Sequence, residues 1–414
     1  MVHRFMAGMM RSPSLECKPG GWLQQRCCLS VRFPLHSATV RGVAQFGLAR
    51  LPWAQEVAGS NPAAPTNSFC LEEGFPVFSP AMSKMIRVIQ CGLGAIGRST
   101  ARLVLEKDSL QLVGAVDPNP QFAGHDLGEV LGLKRKLGIR VAETLSATLA
   151  RTNADAVLHC TGSSFAGVYQ QFADIVRAKL HCVSSCEEAL FPWYREPKLA
   201  DRLDQLCARH GVSVLGTGVN PGFVMDTLAV ISTAVCQRVD AVNVLRVVDA
   251  GTRREALQRK VGAGLAPSEF RKLAKALKIR HVGLSESAVF VADALGWNLD
   301  EVDETIAPVL AERTIRTKYL TVKKGQAAGV RQVATGWRRG KKVLELELQM
   351  YVGAKNRRDE ISLESVPPMR MVVDGGTAGD FATPAILVNC VPRVLEAKPG
   401  LHTMKTIALP RAIS

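Results

Sequence analysis

The amino-acid sequence predicts an α/β protein: a doubly wound parallel sheet followed by a second α+β domain with an open, mostly antiparallel sheet. Strand and helix patterns alternate from Met85 to Leu215, and closely spaced glycines join the first strand to the first helix. Period-2 alternation of apolar and polar residues then marks residues 343–352. Strands that alternate with helices are typical of parallel sheets, whereas period-2 alternation is typical of antiparallel sheets with one wet face.

The first strand, glycine turn and helix occupy residues 85–106. The turn consists of Gly92, Leu93, Gly94, Ala95, Ile96 and Gly97. We expect Gly92 to permit a tight turn, Gly94 to let the backbone approach a pyrophosphate, and Gly97 to let the helix pack closely on the strand. The helix N-terminus then faces the phosphates, so we predict cofactor binding at all six positions.

An acidic residue follows the second predicted strand. Residues 110–116 lead into Asp117, which lies 20 positions after Gly97. This is the spacing of the carboxylate that binds the adenosine ribose in a Rossmann-type sheet. A carboxylate repels a 2′-phosphate, and no arginine follows Asp117 at once. The cofactor is therefore expected to be NAD or NADP, with NAD favoured.

The remaining strands of the first domain bring further polar residues to one crevice. Strands are predicted at residues 154–160, 181–184 and 212–215, and helices at 165–179 and 196–210. Ligands of doubly wound sheets bind at the carboxyl ends of the strands. We expect Thr161 and Gly162 to border the nicotinamide ribose, and Asn220 to lie near the nicotinamide amide.

After Pro221 the pattern changes. Helices are predicted at residues 225–236, 253–261, 268–277 and 286–295, and strands at 241–248, 314–323, 330–337, 343–352 and 369–373. A further helix follows to about residue 395. We predict a dinucleotide-binding Rossmann domain over residues 82–222. Residues 223–414 form a substrate-binding and oligomerisation domain, whose C-terminal helix and tail return to the first domain.

Composition narrows the possible classes of protein. With 414 residues the chain is long enough for two cores, and it has no apolar run of the roughly 18 residues that a membrane span needs. The formal net charge is +15, but the basic residues are spread along the chain, which favours solvated faces over nucleic-acid binding. Eleven cysteines without CxxC spacing indicate reduced thiols in a cytoplasmic protein. No His, Cys and Asp cluster has metal-ligand spacing, so no metal is expected.

Residues 1–81 differ from the rest of the chain. They contain proline, glycine, serine and four cysteines, without a sustained period of 2 or 3.6. Residues 41–66 resemble the peptide that is obtained when a tRNA gene is translated. We expect this extension to be disordered, or to lie upstream of a natural start at Met82 or Met85.

Two further strings are GTGVNPGFVMD at residues 216–226 and DGGTAGDFATPAILVN at residues 374–389. Together with the glycine turn, they make the chain from about Met85 onward resemble the 2,4-diaminopentanoate dehydrogenase family. Its N-terminal domain is similar to that of dihydrodipicolinate reductase. The resemblance implies NAD(P)-dependent oxidative deamination of a side-chain amine. The His-His pair of the strict reductases is missing, because none of the eight histidines is adjacent to another.

The implied reaction needs a base that takes a proton from the substrate ammonium, and a positioned water that hydrolyses the imine. Our catalytic candidates are Lys260, Glu188 and Asp226. A lysine desolvated beside other cations can act as a base, and a carboxylate at the start of a helix is also favoured by capping alone. Surface cations and solvated loop acids remain the alternative explanation for these residues.

Substrate-binding candidates lie in both domains. Glu187 is expected to bind the substrate ammonium. Arg253, seven residues before Lys260 on the same helical face, is placed to clamp a carboxylate bidentately. Backbone N–H groups at Gly376 and Thr377, just before a predicted helix, are the other candidates for the carboxylate, unless these residues only form a tight turn.

Three functions remain open from the sequence. The first is an amino-acid or diamine dehydrogenase that converts a 2,4-diaminopentanoate-like substrate to a keto amino acid and ammonia. The second is an imine reductase of the dihydrodipicolinate reductase kind, and the third is a non-catalytic dinucleotide-binding protein. The expected partners are a small amino-acid substrate and, because the second sheet has an open face, further copies of the chain. Neither nucleic acid nor membrane is an expected partner.

Overall fold

The computed structural model describes residues 85–414. The expectation for residues 1–81 falls outside the described residues. Among the described helices, none combines the length and the apolar character that crossing a membrane requires.

Five parallel strands form most of the first sheet. They are β1 (Ile86–Cys91), β2 (Leu110–Val116), β3 (Ala156–His159), β4 (His181–Ser184) and β5 (Ser213–Gly216). Their spatial order is β2-β1-β3-β4-β5, and every pairing between neighbours is parallel. The predicted Rossmann-type sheet is therefore confirmed.

The connections between these strands contain the helices α1 (Ala95–Val104), α2 (Leu127–Val130), α3 (Leu145–Leu149), α4 (Phe165–Arg177) and α5 (Pro197–His210). Helix α4 illustrates why these helices form, because its apolar residues lie on one side and are buried. Phe165, Val168, Phe172 and Val176 recur at helical spacing and are all buried. Burying each large apolar side chain stabilises the fold by about 1.5–3 kcal/mol.

The second domain begins with the helices α6 (Thr227–Ser232), α7 (Glu255–Lys260), α8 (Pro267–Lys275) and α9 (Leu284–Ala294). Its strands are β6 (Arg238–Asp249), β7 (Glu301–Leu310), β8 (Ile315–Arg316), β9 (Thr321–Val322), β10 (Ala327–Arg338), β11 (Lys341–Tyr351), β12 (Arg358–Val366) and β13 (Met369–Asp374). The large sheet has the order β13-β12-β6-β11-β10-β7. In this sheet only β6 and β11 pair in parallel. The predicted mostly antiparallel sheet is thus confirmed.

Period-2 alternation on β11 separates a covered face from an open one. Leu344, Leu346 and Leu348 are fully buried, whereas Glu345 and Glu347 lie half-buried on the other face. Helix α9 packs against β10 and β11 and covers the leucine face. This covered face also forms one wall of the cavity described below.

Several predicted elements differ from the observed ones. Residues 314–323 form the two-residue strands β8 and β9 of a small hairpin instead of one strand. The helix predicted at 253–261 begins only at Glu255, so Arg253 lies before it. Strands β7 and β12 were missed, because polar side chains interrupt both and Pro308 breaks the strand pattern of β7. An edge strand such as β7 tolerates proline, since one of its sides has no ladder partner.

The chain finally returns to the first domain. Helix α10 (Gly379–Glu396) packs against α1 and β4, and β14 (Gly400–His402) pairs in parallel with β5. The backbone N–H of Ser109 donates to the carbonyl of Ser414 at 3.2 Å, which ties the C-terminus to the start of β2. The last segment thereby completes a six-stranded first sheet.

Candidate active site

The glycine turn between β1 and α1 has the geometry of a phosphate cradle. Gly92 has a φ of +84°, and an added Cβ would overlap the Cys160 carbonyl oxygen. A Cβ on Gly97 would overlap the Gly92 carbonyl oxygen, whereas a Cβ on Gly94 would meet nothing within 4 Å. No side chain caps the N-terminus of α1. Gly94 and the first turn of α1 therefore leave room and free N–H groups for a pyrophosphate.

Asp117 lies beside this turn. Its Oδ2 accepts a hydrogen bond from the Leu93 backbone N–H at 2.6 Å, and its Oδ1 accepts one from Asn119 N–H at 2.9 Å. The carboxylate is thus fixed at the end of β2 with its charge next to the turn. This position suits a ribose whose hydroxyls donate to the remaining lone pairs.

A cavity of about 620 Å³ opens from Asp117 toward α4, and we call it the adenosine-side cavity. Its lining includes Phe122, His159, Thr161 and Gln171. His159 is held by Ser184, Gln171 and Thr161, each at 2.9 Å. Burial lowers the pKa of His159 to about 4, so its imidazole is neutral. The cavity combines apolar walls with fixed polar groups, as an adenosine site requires.

A second cavity of about 340 Å³, the central cavity, lies between the carboxyl ends of the first sheet and the covered face of the second. Both cavities are lined by Gly94, Cys160 and Thr161, so they adjoin at the glycine turn. The charged residues around the central cavity are Glu187, Arg246, Arg253, Arg254, Lys260, Arg280 and Asp380. Cations outnumber acids here, which favours an anionic group on the ligand.

Glu187 is the acidic residue that the first domain contributes to the central cavity. It follows β4 and lies near Ser163 and Lys260. Burial raises the pKa of Glu187, while hydrogen bonding and the Lys260 charge oppose that shift. A carboxylate with a raised pKa can take up a proton from an ammonium group that is placed against it.

Two of the three catalytic candidates lie outside the central cavity's lining. Glu188 is buried, and its Oε2 accepts a hydrogen bond from Phe165 N–H at 2.9 Å, which caps α4. Asp226 is fully buried and accepts from Gly222 N–H at 2.8 Å and Ser287 Oγ at 2.7 Å. Burial raises the pKa of Asp226. Through these hydrogen bonds both carboxylates hold backbone or side-chain donors of the fold in place.

Lys260 does line the central cavity, but its side chain is exposed. Solvent therefore surrounds its ammonium, and the desolvation on which a lysine base depends is missing. Its charge still acts on the buried groups nearby. Lys260 is one of the causes that shift the pKa values of Glu187 and His281.

Asn220 lines the central cavity with its side-chain amide unsatisfied. Both Nδ2 and Oδ1 are buried, and neither has a hydrogen-bond partner among the described residues. Buried amides without partners are uncommon in folded proteins. One donor and one acceptor side by side fit the carboxamide of a nicotinamide. Thr161 and Gly162 line the same cavity.

The structure separates the substrate-binding candidates. Arg253 lines the central cavity, and its Nη2 donates to Asp380 Oδ1 at 2.6 Å. Gly376 and Thr377 do not belong to the lining. The Thr377 N–H instead donates to Asp359 Oδ2 at 2.6 Å, so this donor is already used within the protein.

Two residues that the sequence did not single out line the central cavity. Arg246 interrupts the apolar run of β6. A charged residue in such a run indicates a buried functional group, so the sequence did contain evidence for this residue. His281 carries no such signal. Its Nδ1 is buried without a partner, while Gln332 holds its backbone from both sides at 2.7 and 2.8 Å. Burial, together with Lys260 and Arg246, lowers the pKa of His281 to about 4.

The parallel sheet, the glycine turn, the carboxylate after β2 and the cavity between two domains define a nicotinamide-dinucleotide-dependent dehydrogenase. Comparisons with known proteins agree. A family model described as the 2,4-diaminopentanoate dehydrogenase C-terminal domain matches residues 223–414. A second model, the dihydrodipicolinate reductase N-terminus, matches residues 86–185.

Known relatives match this chain over nearly their whole length. The chain is 31% identical over 337 residues to 2,4-diaminopentanoate dehydrogenase of Acetoanaerobium sticklandii, a match that covers 79% of this chain and 95% of that protein. It is 24% identical over 355 residues to an amine dehydrogenase of Streptomyces virginiae, covering 80% and 98%. The chain belongs to the 2,4-diaminopentanoate dehydrogenase family, and the resemblance stated from its motifs is confirmed.

The fold is also similar to a solved structure of an amine dehydrogenase from Mycobacterium smegmatis. The TM-score is 0.70 at 23% sequence identity, and the match covers 79% of this chain and 97% of that chain. This likeness supports the fold described above.

Proposed function

We propose that the protein is an NAD-preferring dehydrogenase that oxidatively deaminates an amino acid with a side-chain amine, such as 2,4-diaminopentanoate. The products are a keto amino acid and ammonia. The observation that carries this proposal is the pairing of a half-buried carboxylate, Glu187, with several cations in one cavity beside the glycine turn. The acid suits an ammonium group, and the cations suit a carboxylate.

The dinucleotide is assigned to the two adjoining cavities. Gly94 and the N-terminus of α1 hold the pyrophosphate, Asp117 holds the adenosine ribose, and Asn220 holds the carboxamide. The charge of Asp117 disfavours a 2′-phosphate, which supports NAD over NADP. When bound, the nicotinamide would supply the acceptor for the hydride that leaves the amine-bearing carbon of the substrate.

Glu187 prepares the substrate for hydride loss. Only a free amine has the lone pair that drives a hydride off the neighbouring carbon, so the bound ammonium must first lose a proton. The Glu187 carboxylate accepts that proton, since burial has already raised its affinity for one. This assigns the role of base to Glu187 rather than to Lys260, Glu188 or Asp226.

Hydrolysis of the resulting imine needs an oriented water. His281 supplies an unpartnered, buried Nδ1 at the cavity wall, and its neutral ring can accept a hydrogen bond from water. The water oxygen bonds to the iminium carbon while one water proton passes to the imidazole, which gives a carbinolamine. The imidazolium returns that proton to the carbinolamine nitrogen, and the carbon–nitrogen bond breaks to release ammonia as the hydroxyl proton is lost and the ketone forms. The clamp by Gln332 keeps His281 at that wall.

The two alternatives from the sequence find less support. Similarity to the reductases is a match to residues 86–185, so it concerns the dinucleotide domain and not the residues of the second domain that meet the substrate. A non-catalytic binder would have no need for a half-buried acid, an unpartnered histidine nitrogen and an unpartnered amide around one cavity.

We further propose that the protein is cytoplasmic and assembles into a homo-oligomer. All seven cysteines of the described residues are free thiols, as a reducing compartment permits. One face of the second sheet carries half-buried Glu345 and Glu347 and is left open by the helices. Light scattering on the purified protein measures the assembly directly.

The proposed reaction is tested by following NADH absorbance and ammonia release together. The substrates are 2,4-diaminopentanoate, other diamino acids and simple amines. We expect NADH and ammonia in equal amounts from the diamino acid. NADH oxidation with a cyclic imine but no amine oxidation would support the reductase instead. Tight cofactor binding without turnover on any substrate would support the non-catalytic protein.

A further inference from the structure

One of the sequence strings that carry the resemblance to the family has no role in the reaction proposed above. Residues 374–380, DGGTAGD, run from the last residue of β13 into the first turn of α10, and we call them the 374–380 loop. Gly375 and Gly376 both have positive φ, at 77° and 69°, so the chain turns here in a conformation that favours glycine. The turn brings Thr377 and Asp380 against two arginines of the central cavity.

The first of these arginines is Arg246. It lies on β6 directly opposite Asp359 of β12, and its side chain is only 3% exposed. Nη1 donates to Asp359 Oδ1 at 2.6 Å, and Nη2 donates to the Thr377 carbonyl at 2.8 Å. The Thr377 N–H in turn donates to Asp359 Oδ2 at 2.6 Å. This closed set of three bonds fixes the guanidinium at the cavity wall.

The second arginine is Arg253, whose side chain is 19% exposed. Asp380, the last residue of the 374–380 loop, accepts from its Nη2 at 2.6 Å. The Nε atom of Arg253 is buried and has no partner in the part of the chain that is described. A buried guanidinium donor without a partner is costly unless a ligand completes it.

We propose that Arg246 and Arg253, both held by the 374–380 loop, form the receptor for the substrate carboxylate and make the enzyme select an amino acid over a simple amine. The inference rests on the proposed function. A planar guanidinium that is already fixed binds a carboxylate with little further loss of freedom. Arg254 and Lys260 also line the cavity, but their side chains are exposed and carry no such anchoring.

The test compares two substrates that differ only in the carboxylate, 2,4-diaminopentanoate and butane-1,3-diamine. The selectivity is the ratio of their kcat/KM values. Arg253→Met removes one arm of the receptor. Arg246→Met is combined with Asp359→Asn, because the single change would leave a buried charge unpaired. Arg246→Lys serves if the double variant does not fold, as judged by circular dichroism. Arg259→Met is the matched control, since Arg259 is exposed on α7, pairs with Glu255 and does not line the cavity.

We expect each receptor variant to lower the selectivity for the amino acid by about 10- to 100-fold, the scale of one charge-assisted pair. The loss of kcat/KM should be larger for 2,4-diaminopentanoate than for the diamine, because only the amino acid has a carboxylate for the arginines to bind. Arg259→Met should keep the wild-type ratio. If the folded Arg253→Met and Arg246 variants keep the wild-type ratio of kcat/KM values, the proposed receptor is overturned.

Failure of the proposed function is recognised separately. In that case the wild-type protein oxidises neither compound, and calorimetry with NAD present measures binding of both. Binding of 2,4-diaminopentanoate that is lost in the Arg253→Met protein but kept in the Arg259→Met protein would still support the receptor. Absence of binding by the wild-type protein, or equal binding by all variants, would overturn it.

Discussion

The Asp117 carboxylate accepts a hydrogen bond of 2.6 Å from the backbone N–H of Leu93. The acid that follows β2 is therefore joined to the middle of the glycine turn. Because one oxygen also orders the turn, an alanine at this position would disturb phosphate and ribose binding together. An asparagine can keep an oxygen acceptor for Leu93, but it removes the charge and the second acceptor, which serves the Asn119 N–H.

Asp117→Asn should therefore shift the cofactor preference toward NADP. The charge that repels a 2′-phosphate is lost, whereas the hydrogen bond to the turn is kept. We expect the ratio of the dissociation constants for NADP and NAD to fall about 10-fold or more, measured by calorimetry, with Asp117→Ala weakening NAD further. An unchanged ratio in the asparagine variant would remove Asp117 from the ribose site.

Two glycines of the turn should respond to alanine in opposite ways. An added Cβ meets nothing within 4 Å at Gly94 but overlaps the Gly92 carbonyl at Gly97. Gly94→Ala should unfold at nearly the wild-type temperature but bind NAD at least 10-fold more weakly. Gly97→Ala should lower the free energy of unfolding by about 1–3 kcal/mol, in the range of overpacked sites. Calorimetric melting and titration measure both quantities, and wild-type NAD affinity in Gly94→Ala would contradict a pyrophosphate there.

Glu187 and its neighbour Glu188 offer a matched pair of substitutions. Glu187→Gln should lower kcat by about 10²- to 10⁴-fold, the usual contribution of a general base. Glu188→Gln keeps an oxygen acceptor for Phe165 N–H, so its kcat should stay within about 3-fold of the wild type, because little of that bond's free energy is lost. Steady-state NADH formation distinguishes the two. Equal losses of kcat in the two variants would contradict the assignment of the base to Glu187 and of a helix cap to Glu188.

The pH dependence follows from the same residue. Burial raises the pKa of Glu187, so activity should fall, as the pH decreases, at a higher pH than for an ordinary glutamate near 4.3. Lys260 opposes that shift, since its positive charge favours the ionised carboxylate. Lys260→Met should therefore move the acid limb of kcat/KM to higher pH. If the acid limb stays in place or moves to lower pH, the group that titrates there is not Glu187.

Much of the dinucleotide half was predictable from the sequence because its chemistry is local. Gly92, Gly94 and Gly97 act through backbone geometry within one turn, and Asp117 follows at a fixed spacing. The period-2 pattern of β11 likewise showed its covered face. Such patterns are set by the nearest elements and need no knowledge of the partner domain.

The substrate half was less accessible because long-range contacts assign its roles. Glu187 and Glu188 are adjacent in sequence, and only the start of α4 decides that Glu188 caps a helix. Asp226 has a comparable structural role, because it accepts from Gly222 within its own turn and from the distant Ser287 on α9. Arg246 gains its position from Asp359, 113 residues away along the chain. A pattern over a few residues cannot reveal a pairing over that separation.

The central claim is that a nicotinamide dinucleotide binds where the glycine turn meets the second domain. Calorimetric titration of the purified protein with NAD and with NADP measures this directly. We expect one saturable site per chain for both, with NAD the tighter ligand. The absence of saturable binding of either at millimolar concentration would contradict the claim.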